Sequence, residues 1–351
     1  MKDKYYQLAV DNLRGLLATA RKSDETFQDI AGQRDVVLAR YQPIFNPTAI
    51  SRLTEAQFKS FLLFENNHHW SGLNRKGHRA CADMKALRQS LALLLDEKKP
   101  LTDRMNHVAD EVPGMGKALI TAILLVAYPD KYGVWNNTSE TSLNQLQVWP
   151  EFDRGLTFGK RYELMNAILL RLANDLGIDL WTLDALHWRV ISHDGNDGKA
   201  GEPVPPTGDV QTFGLERHLH DFLRDNWGRT SLGKEWALYA EQGDDEAGYE
   251  YVTDIGKIDL LAKHRTKPRW LVVELKRAQT SDETAGQVLR YMGWVRRKMA
   301  QKGATVEGLI IAHDADDKLR YAISELADVK LMLYDVSFSL QNDSKALSNR
   351  E

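Results

Sequence analysis

The spacing of hydrophobic positions changes along the chain. Up to residue 191, apolar residues recur every three or four positions, as Leu13, Leu16 and Leu17 do, which predicts a succession of amphipathic helices. Further on, short apolar runs rich in β-branched residues predict strands, and helical spacing returns between them. The strands are expected at residues 234–241, 258–262, 270–275, 306–312 and 329–336, and the helices at residues 213–227, at residues 316–326 and after residue 283. This order predicts an α+β fold, with a helical N-terminal domain and an α/β core built on a mixed central sheet.

The clearest break in the pattern is the stretch 192–209, where Gly, Pro and Asp dominate and almost no residue could enter a core. Such a composition is typical of a linker. We therefore expect a helical domain over residues 1–192, a linker over 193–211, a second domain over 212–340 and a disordered polar tail over 341–351.

Composition narrows the class of protein. With 351 residues, of which 43% are hydrophobic, the chain can bury the cores of two domains, and none of its apolar runs reaches the length of a membrane span. Cys81 is the only cysteine, which excludes an intrachain disulfide framework, and the N-terminal residues lack the apolar core of a signal peptide. We expect a cytoplasmic protein with no membrane partner. The net charge of -3 is not that of a general DNA-binding protein, although a local basic patch could still bind DNA.

Three charged residues interrupt the predicted hairpin of the second domain. Asp259 lies at the start of its first strand, and Glu274 and Lys276 share one face at the end of its second strand. A Glu-x-Lys pair on a strand is commonly a solvated face, but the apolar neighbours at 271–275 favour a buried strand, where unpaired charges are costly. Two carboxylates and an ammonium group held together suit a divalent metal, Mg²⁺ or Mn²⁺, with the lysine beside the attacking water.

This pattern resembles the PD-(D/E)xK nuclease superfamily and, more closely, the NucS-type endonucleases. The matching segments are Gly-Lys-Ile-Asp-Leu-Leu at 256–261, Val-Val-Glu-Leu-Lys-Arg at 272–277 and Gly-Gln-Val-Leu-Arg-Tyr at 286–291. Ile258 stands where the superfamily has proline, and the resemblance covers roughly residues 210–340. It implies a restriction-endonuclease-like core. It assigns Asp259, Glu274 and Glu216 as metal ligands, Lys276 as the residue that assists the nucleophile, and Gln287 and Tyr291 as residues that complete the site.

A second motif lies in the helical domain. Pro113, Gly114 and Gly116 form a Pro-Gly-x-Gly turn between two predicted helices, which resembles a helix-hairpin-helix. Glycines let the backbone approach a phosphate closely, the start of the second helix favours an anion, and Lys117 adds charge. The alternative is an ordinary packing element without a ligand.

The segment after this hairpin is similar to that of helix-hairpin-helix DNA glycosylases. These enzymes place a catalytic Asp there in a Val-Asp-Thr context, whereas this chain has Trp135 and Asn136. Because an amide cannot replace the carboxylate, glycosylase chemistry is disfavoured.

The loop at residues 66–79 combines an aromatic residue with several basic groups. Trp70, Arg75 and Lys76 could contact DNA by stacking on a base and by binding phosphate. The other interpretation is a solvated turn with Trp70 folded back into the core. A metal site built from the histidines of this loop is disfavoured, since no nearby carboxylate or cysteine completes it.

Together these features predict a divalent-metal-dependent endodeoxyribonuclease with an N-terminal DNA-recognition domain, acting in DNA repair or in restriction and phage defence. The alternatives are a non-catalytic DNA-binding module with a nuclease-like fold and base excision by the N-terminal domain. A single site cuts one strand per encounter, so that we also expect a homodimer on DNA.

Overall fold

The computed structural model describes residues 3–153, 155–193, 216–280 and 283–335. These residues form two compact units. The first contains the described residues up to 193 together with Ala240–Ala247 and Val252–Gly256, and the second contains the other described residues from 216 onward. The predicted tail, and the predicted linker from residue 194 on, lie outside the described residues.

The first unit is helical, as the sequence predicts. Its α-helices are α1 (Asp3–Ser23), α2 (Glu25–Gly32), α3 (Arg34–Tyr41), α4 (Glu55–Leu62), α5 (Phe64–Asn67), α6 (Asn74–Gly77), α7 (Met84–Leu94), α8 (Leu101–Glu111), α9 (Lys117–Ala127), α10 (Asn137–Gln145), α11 (Phe158–Leu176) and α12 (Leu180–His193), with 3-10 helices at Ile50–Arg52 and His78–Asp83. Their apolar faces share one core, in which Tyr41, Phe58 and Trp181 are among the largest fully buried side chains.

Local sequence signals set several of these helix ends. Thr54 and Gln57 form a reciprocal capping box at the start of α4. α11 ends at Gly177, whose φ of 65° lies in the left-handed region that glycine adopts most easily. No helix among the described residues is long and apolar enough to cross a membrane.

The second unit is built around a mixed sheet. Its elements are α13 (Glu216–Asn226), α14 (Ser231–Glu235), β1 (Trp236–Leu238), β2 (Tyr249–Thr253), β3 (Gly256–His264), β4 (Arg269–Thr280), α15 (Glu283–Lys298), β5 (Thr305–Ala315), α16 (Asp317–Ser324) and β6 (Val329–Leu333), with a 3-10 helix at Trp227–Arg229. The strands run in the order β1-β3-β4-β5-β6, and β2 pairs with β3 outside this path. β3 and β4 are antiparallel, whereas β4, β5 and β6 are parallel. The predicted α+β fold with a mixed sheet is thus confirmed.

A helix covers each face of this sheet. On one face, Val272 of β4 belongs to a core cluster that also contains Val288 and Met292 of α15. On the other face, Leu275 belongs to a cluster with Leu219 and other residues of α13. Side chains alternate along a strand, so that the even-numbered residues of β4 at 274 and 276 share the face on which α15 packs.

Candidate active site

Asp259, Glu274 and Lys276 lie together where β3 and β4 pair. Leu260 and Val273 are the last paired residues of the antiparallel register at this end, and Asp259 and Glu274 lie just beyond them. Asp259 Oδ2 accepts the Leu275 backbone N–H at 2.7 Å, and Lys276 Nζ lies 2.8 Å from Glu274 Oε1. Glu274 is only 1% exposed, whereas the Lys276 side chain is 27% exposed. The buried Glu274 carboxylate is therefore bound by a partly exposed ammonium group, and the Asp259 carboxylate is bound to the backbone of Leu275, the residue between Glu274 and Lys276.

Helix α15 places Tyr291 against this cluster. Tyr291 is buried, and burial raises the pKa of its phenol. The charges of Glu274 and Asp259 raise this pKa further, while Arg290 lowers it. Tyr291 is therefore a protonated donor near both carboxylates at neutral pH. Gln287 lies one helical turn earlier on α15 and is half-buried, so that it occupies the same side of the helix.

Helix α13 brings a further side chain to Asp259. Glu216 is its first residue, but the Glu216 side chain lies outside the described residues. One turn later, His220 is 6% exposed, and its Nε2 lies 3.7 Å from Asp259 Oδ2. Sequence analysis did not identify His220. The signal that could have found it is its position four residues after Glu216 in a predicted helix.

The chemistry of these groups fits a divalent metal. Within the described ranges, no three His, Cys, Asp or Glu side chains stand close enough together to hold a metal ion by themselves. Mg²⁺, however, is commonly held by one or two carboxylates, with waters and substrate phosphates filling its other positions. Asp259 and Glu274 provide two such carboxylates, and Glu274 is only 1% exposed. A bound cation would offset the cost of burying these charges.

The predicted phosphate site of the hairpin has a different role in the structure. Lys117 Nζ lies 2.9 Å from Glu140 Oε2 and 3.1 Å from Asp244 Oδ2. Burial acts to lower the Lys117 pKa, but the two carboxylates outweigh burial and raise it. The Lys117 backbone N–H donates to the Gly243 carbonyl at 2.6 Å, at the start of α9. Lys117 is therefore engaged by the segment Ala240–Ala247, and this corrects its assignment as an available phosphate ligand.

The two glycines of the hairpin allow this close packing. Gly114 has a φ of 86°, in the region that disfavours other residues. At Gly116, an added Cβ atom would lie 3.3 Å from the Gly243 carbonyl oxygen, which is tighter than ordinary contact. Both glycines thus serve the turn and the approach of a peptide segment, which agrees with the interpretation of the hairpin as a packing element.

Trp70 lies in the core. This agrees with the second interpretation of its loop, in which the ring folds back into the protein. The ring is 6% exposed, its Nε1 donates to Asp184 Oδ2 at 2.9 Å, and it packs against Trp181 with centroids 5.2 Å apart. A buried ring cannot stack on a base, so that we correct the assignment of Trp70 to DNA. Arg75 is half-buried, and the side chain of Lys76 lies outside the described residues.

Asn136 has a structural contact at the start of α10. Its side chain accepts the Ser139 backbone N–H at 2.8 Å as a helix cap. The neighbouring Trp135 is buried and donates from Nε1 to Glu140 Oε1 at 2.7 Å. These contacts account for both residues without invoking base excision.

Comparison with known proteins shows that the segment containing these residues matches a protein family. Residues 238–331 match the family described as endonuclease NucS C-terminal domain. The match includes Asp259, Glu274, Lys276, Gln287 and Tyr291, and it leaves out the N-terminal helical residues and α13. No curated protein and no solved structure matches the chain. Residues 238–331 are therefore similar to the C-terminal domain of NucS-type endonucleases.

Proposed function

We propose that the chain is a divalent-metal-dependent endonuclease that hydrolyses phosphodiester bonds of DNA. The observation that carries this proposal is the grouping of Asp259, Glu274 and Lys276 inside the segment that matches the NucS domain. A protein that kept only the fold would gain nothing from burying these charges, because an ionised group is costly to bury. This argues against the alternative of a non-catalytic DNA-binding module.

The carboxylates of Asp259 and Glu274 would hold the ion, Mg²⁺ or Mn²⁺, with Glu216 as a further ligand. When bound, the ion would polarise the scissile phosphate and lower the pKa of the attacking water. The Leu275 N–H fixes the orientation of the Asp259 carboxylate. The ammonium group of Lys276 contacts Glu274 and is partly exposed. Lys276 could therefore orient the water or offset charge that develops on the phosphate.

Two features of α15 would bind the DNA backbone beside this centre. Tyr291 keeps its proton because its pKa is raised, so that it can donate to a phosphate oxygen, and Gln287 can donate from the preceding turn. Arg296, Arg297 and Lys298 are exposed in the last turn of α15. Exposed cations of this kind bind phosphates in a salt-dependent manner.

The helical unit would recognise the DNA substrate. With Trp70 and Lys117 engaged internally, the loop around Arg75 and Lys76 is the remaining candidate contact. The biological setting that fits a DNA reader joined to a nuclease is repair or restriction and phage defence. The alternative of base excision requires a carboxylate that Asn136 cannot supply.

A panel of end-labelled DNAs tests the proposal. Plain, mismatched, branched and modified duplexes are incubated with the full chain in Mg²⁺, in Mn²⁺ or in a chelator, and cut sites and free bases are measured. The proposal expects internal strand cuts on at least one substrate, only with metal. Release of free bases without strand cuts would favour base excision, and binding without any product would favour the non-catalytic module.

A further inference from the structure

His220 is a buried polar residue whose surroundings leave one ring nitrogen unsatisfied. Its side chain is 8% exposed, and among the residues that the structure describes none lies within hydrogen-bonding distance of His220 Nε2. A buried polar atom without a hydrogen-bond partner destabilises a folded protein. The atom is directed at Asp259, whose Oδ2 lies 3.7 Å away. This arrangement calls for a third group that both atoms can bind.

The position of His220 is fixed by the packing of α13. Leu219 and Leu223 on the same helix are buried in the cluster that covers one face of the sheet. Asp221, the next residue, accepts the Tyr249 hydroxyl at 2.9 Å. With its helix held at both neighbouring positions, His220 cannot turn toward solvent without loss of these contacts.

We infer that His220 supplies a nitrogen ligand beside Asp259 and thereby shifts the metal preference of the site from Mg²⁺ toward first-row transition ions such as Mn²⁺. The inference rests on the proposed metal-dependent function. Two adjacent ligands of one such ion would be about 3 Å apart, so that a side-chain movement of under about 1 Å would bring His220 Nε2 and Asp259 Oδ2, now 3.7 Å apart, onto one ion. Oxygen ligands alone suit Mg²⁺, whereas an imidazole nitrogen raises the affinity for transition ions.

The three candidate ligands His220, Asp259 and Glu274 are not gathered around one point. His220 and Asp259 already face each other, and they would provide two of the ligands. Glu274 would join them through a movement of its side chain, and its Oε1 already binds Lys276 Nζ.

A simpler reading is an ion pair between a protonated His220 and Asp259. An ion pair predicts that loss of the imidazole lowers the thermal stability and leaves the relative affinities for Mn²⁺ and Mg²⁺ unchanged. A metal ligand predicts that the ratio of these two affinities changes. The two readings are therefore separated by metal titration of the protein without DNA.

The experiment measures Mn²⁺ and Mg²⁺ dissociation constants of the full chain by calorimetry, for the wild type, His220→Leu and the control His264→Gln. His264 lies at the other end of β3, five residues from Asp259. We expect His220→Leu to weaken Mn²⁺ binding about tenfold or more, a typical cost for disturbing a metal site, and to leave Mg²⁺ binding within about threefold. The control should change neither. An unchanged ratio in a folded His220→Leu protein would overturn the inference.

A second measurement needs no variant. Pulsed electron paramagnetic resonance of Mn²⁺ bound to the wild type should show coupling to a ¹⁴N nucleus, and its absence would also overturn the inference. Asp259→Asn separates this outcome from failure of the proposed function. If Asp259→Asn binds both metals as well as the wild type does, the metal site itself is wrong, and the role of His220 falls with it.

Discussion

Among single residues, two lysines with carboxylate partners have opposite roles. Lys276 Nζ contacts Glu274 Oε1, and the Lys276 side chain remains 27% exposed. Lys117 is bound by Glu140 and Asp244, and its side chain is 12% exposed. Lys276 can move toward a substrate. Lys117 neutralises two carboxylates that would otherwise be buried without a cation. Two residues of the same type thus differ in role: Lys276 is a catalytic candidate, and Lys117 stabilises the fold.

Lys117→Met tests the structural role. The change leaves Glu140 and Asp244 without their shared cation, and we expect a loss of about 3–5 kcal/mol in the free energy of unfolding of the helical unit, the usual cost of breaking a buried pair. Urea denaturation measures it. Lys160→Met, which removes an exposed pair with Glu163, should cost less than about 1 kcal/mol. Equal losses of unfolding free energy in the two variants would rule out this structural role of Lys117.

His187 gives the helical unit a dependence on pH. Its Nδ1 lies 2.7 Å from Ser142 Oγ, and burial lowers the pKa of His187 to about 4. Because an unfolded histidine has a pKa of about 6.5, the unfolded state binds more protons between these values. The stability that the neutral His187 contributes is complete above pH 6.5 and is lost as the pH falls toward 4.

We therefore expect the free energy of unfolding to fall by about 2 kcal/mol between pH 7 and pH 5 through His187 alone. Asp184, which is also buried, pairs with His69 at 3.1 Å. Burial raises the Asp184 pKa and lowers the His69 pKa, so that these two groups also make the stability depend on pH. Urea denaturation of the wild type and of His187→Gln at both pH values isolates the His187 part. An equal fall in the two proteins would contradict this account.

At the scale of elements, the spacing of hydrophobic residues predicted those strands and helices that depend on neighbouring residues. The hairpin of β3 and β4 follows from short apolar runs, and the helix α15 follows from helical spacing after residue 283. Asp259 and Glu274 lie just beyond the last paired residues of this hairpin. β2 was not predicted. The strand expected at 234–241 is shorter, since residues 240–247 belong to the helical unit, where Asp244 binds Lys117.

Partners that are distant in sequence explain the other differences. Trp70 is fixed by Asp184, which lies 114 positions away, and His220 faces Asp259, which lies on a separate element. Periodicity and composition describe neighbours along the chain and hold no information about such contacts. For this reason the sequence could point to His220 only through its spacing from Glu216, and it could not decide between the two interpretations of Trp70.

The close packing of α15 against β5 sets the position of Tyr291 on α15. An added Cβ atom at Gly308 would collide with Val288 Cγ1 and lie 2.7 Å from Met292 Sδ. We expect Gly308→Ala to destabilise the second unit by about 1–3 kcal/mol through overpacking and to slow DNA cleavage, because α15 must shift. Gly293→Ala on α15 meets no atom within 4 Å and should be neutral or stabilising. Thermal unfolding and cleavage rates measure both, and a Gly308→Ala protein that matches the wild type would refute the argument.

For the whole molecule, the number of active sites limits the products. One chain offers one group of Asp259, Glu274 and Lys276, and one such site cuts one strand per encounter. A break in both strands at one place calls for two sites, which two-fold symmetry supplies most simply. We expect a homodimer on DNA, detectable by mass measurement with and without duplex. A monomer in both states that still makes double-strand breaks in one binding event would contradict this expectation.

The most direct test of the central claim is metal-dependent cleavage of a labelled DNA substrate by the wild type and by Asp259→Asn, which keeps the shape of the side chain and removes its charge. The account predicts that the wild type cuts only with Mg²⁺ or Mn²⁺. It predicts that the variant binds the same DNA within a few-fold and cuts at least about 10²–10³ times more slowly, the range found when one electrostatic group of a catalytic site is removed. Cleavage by Asp259→Asn at the wild-type rate would contradict it.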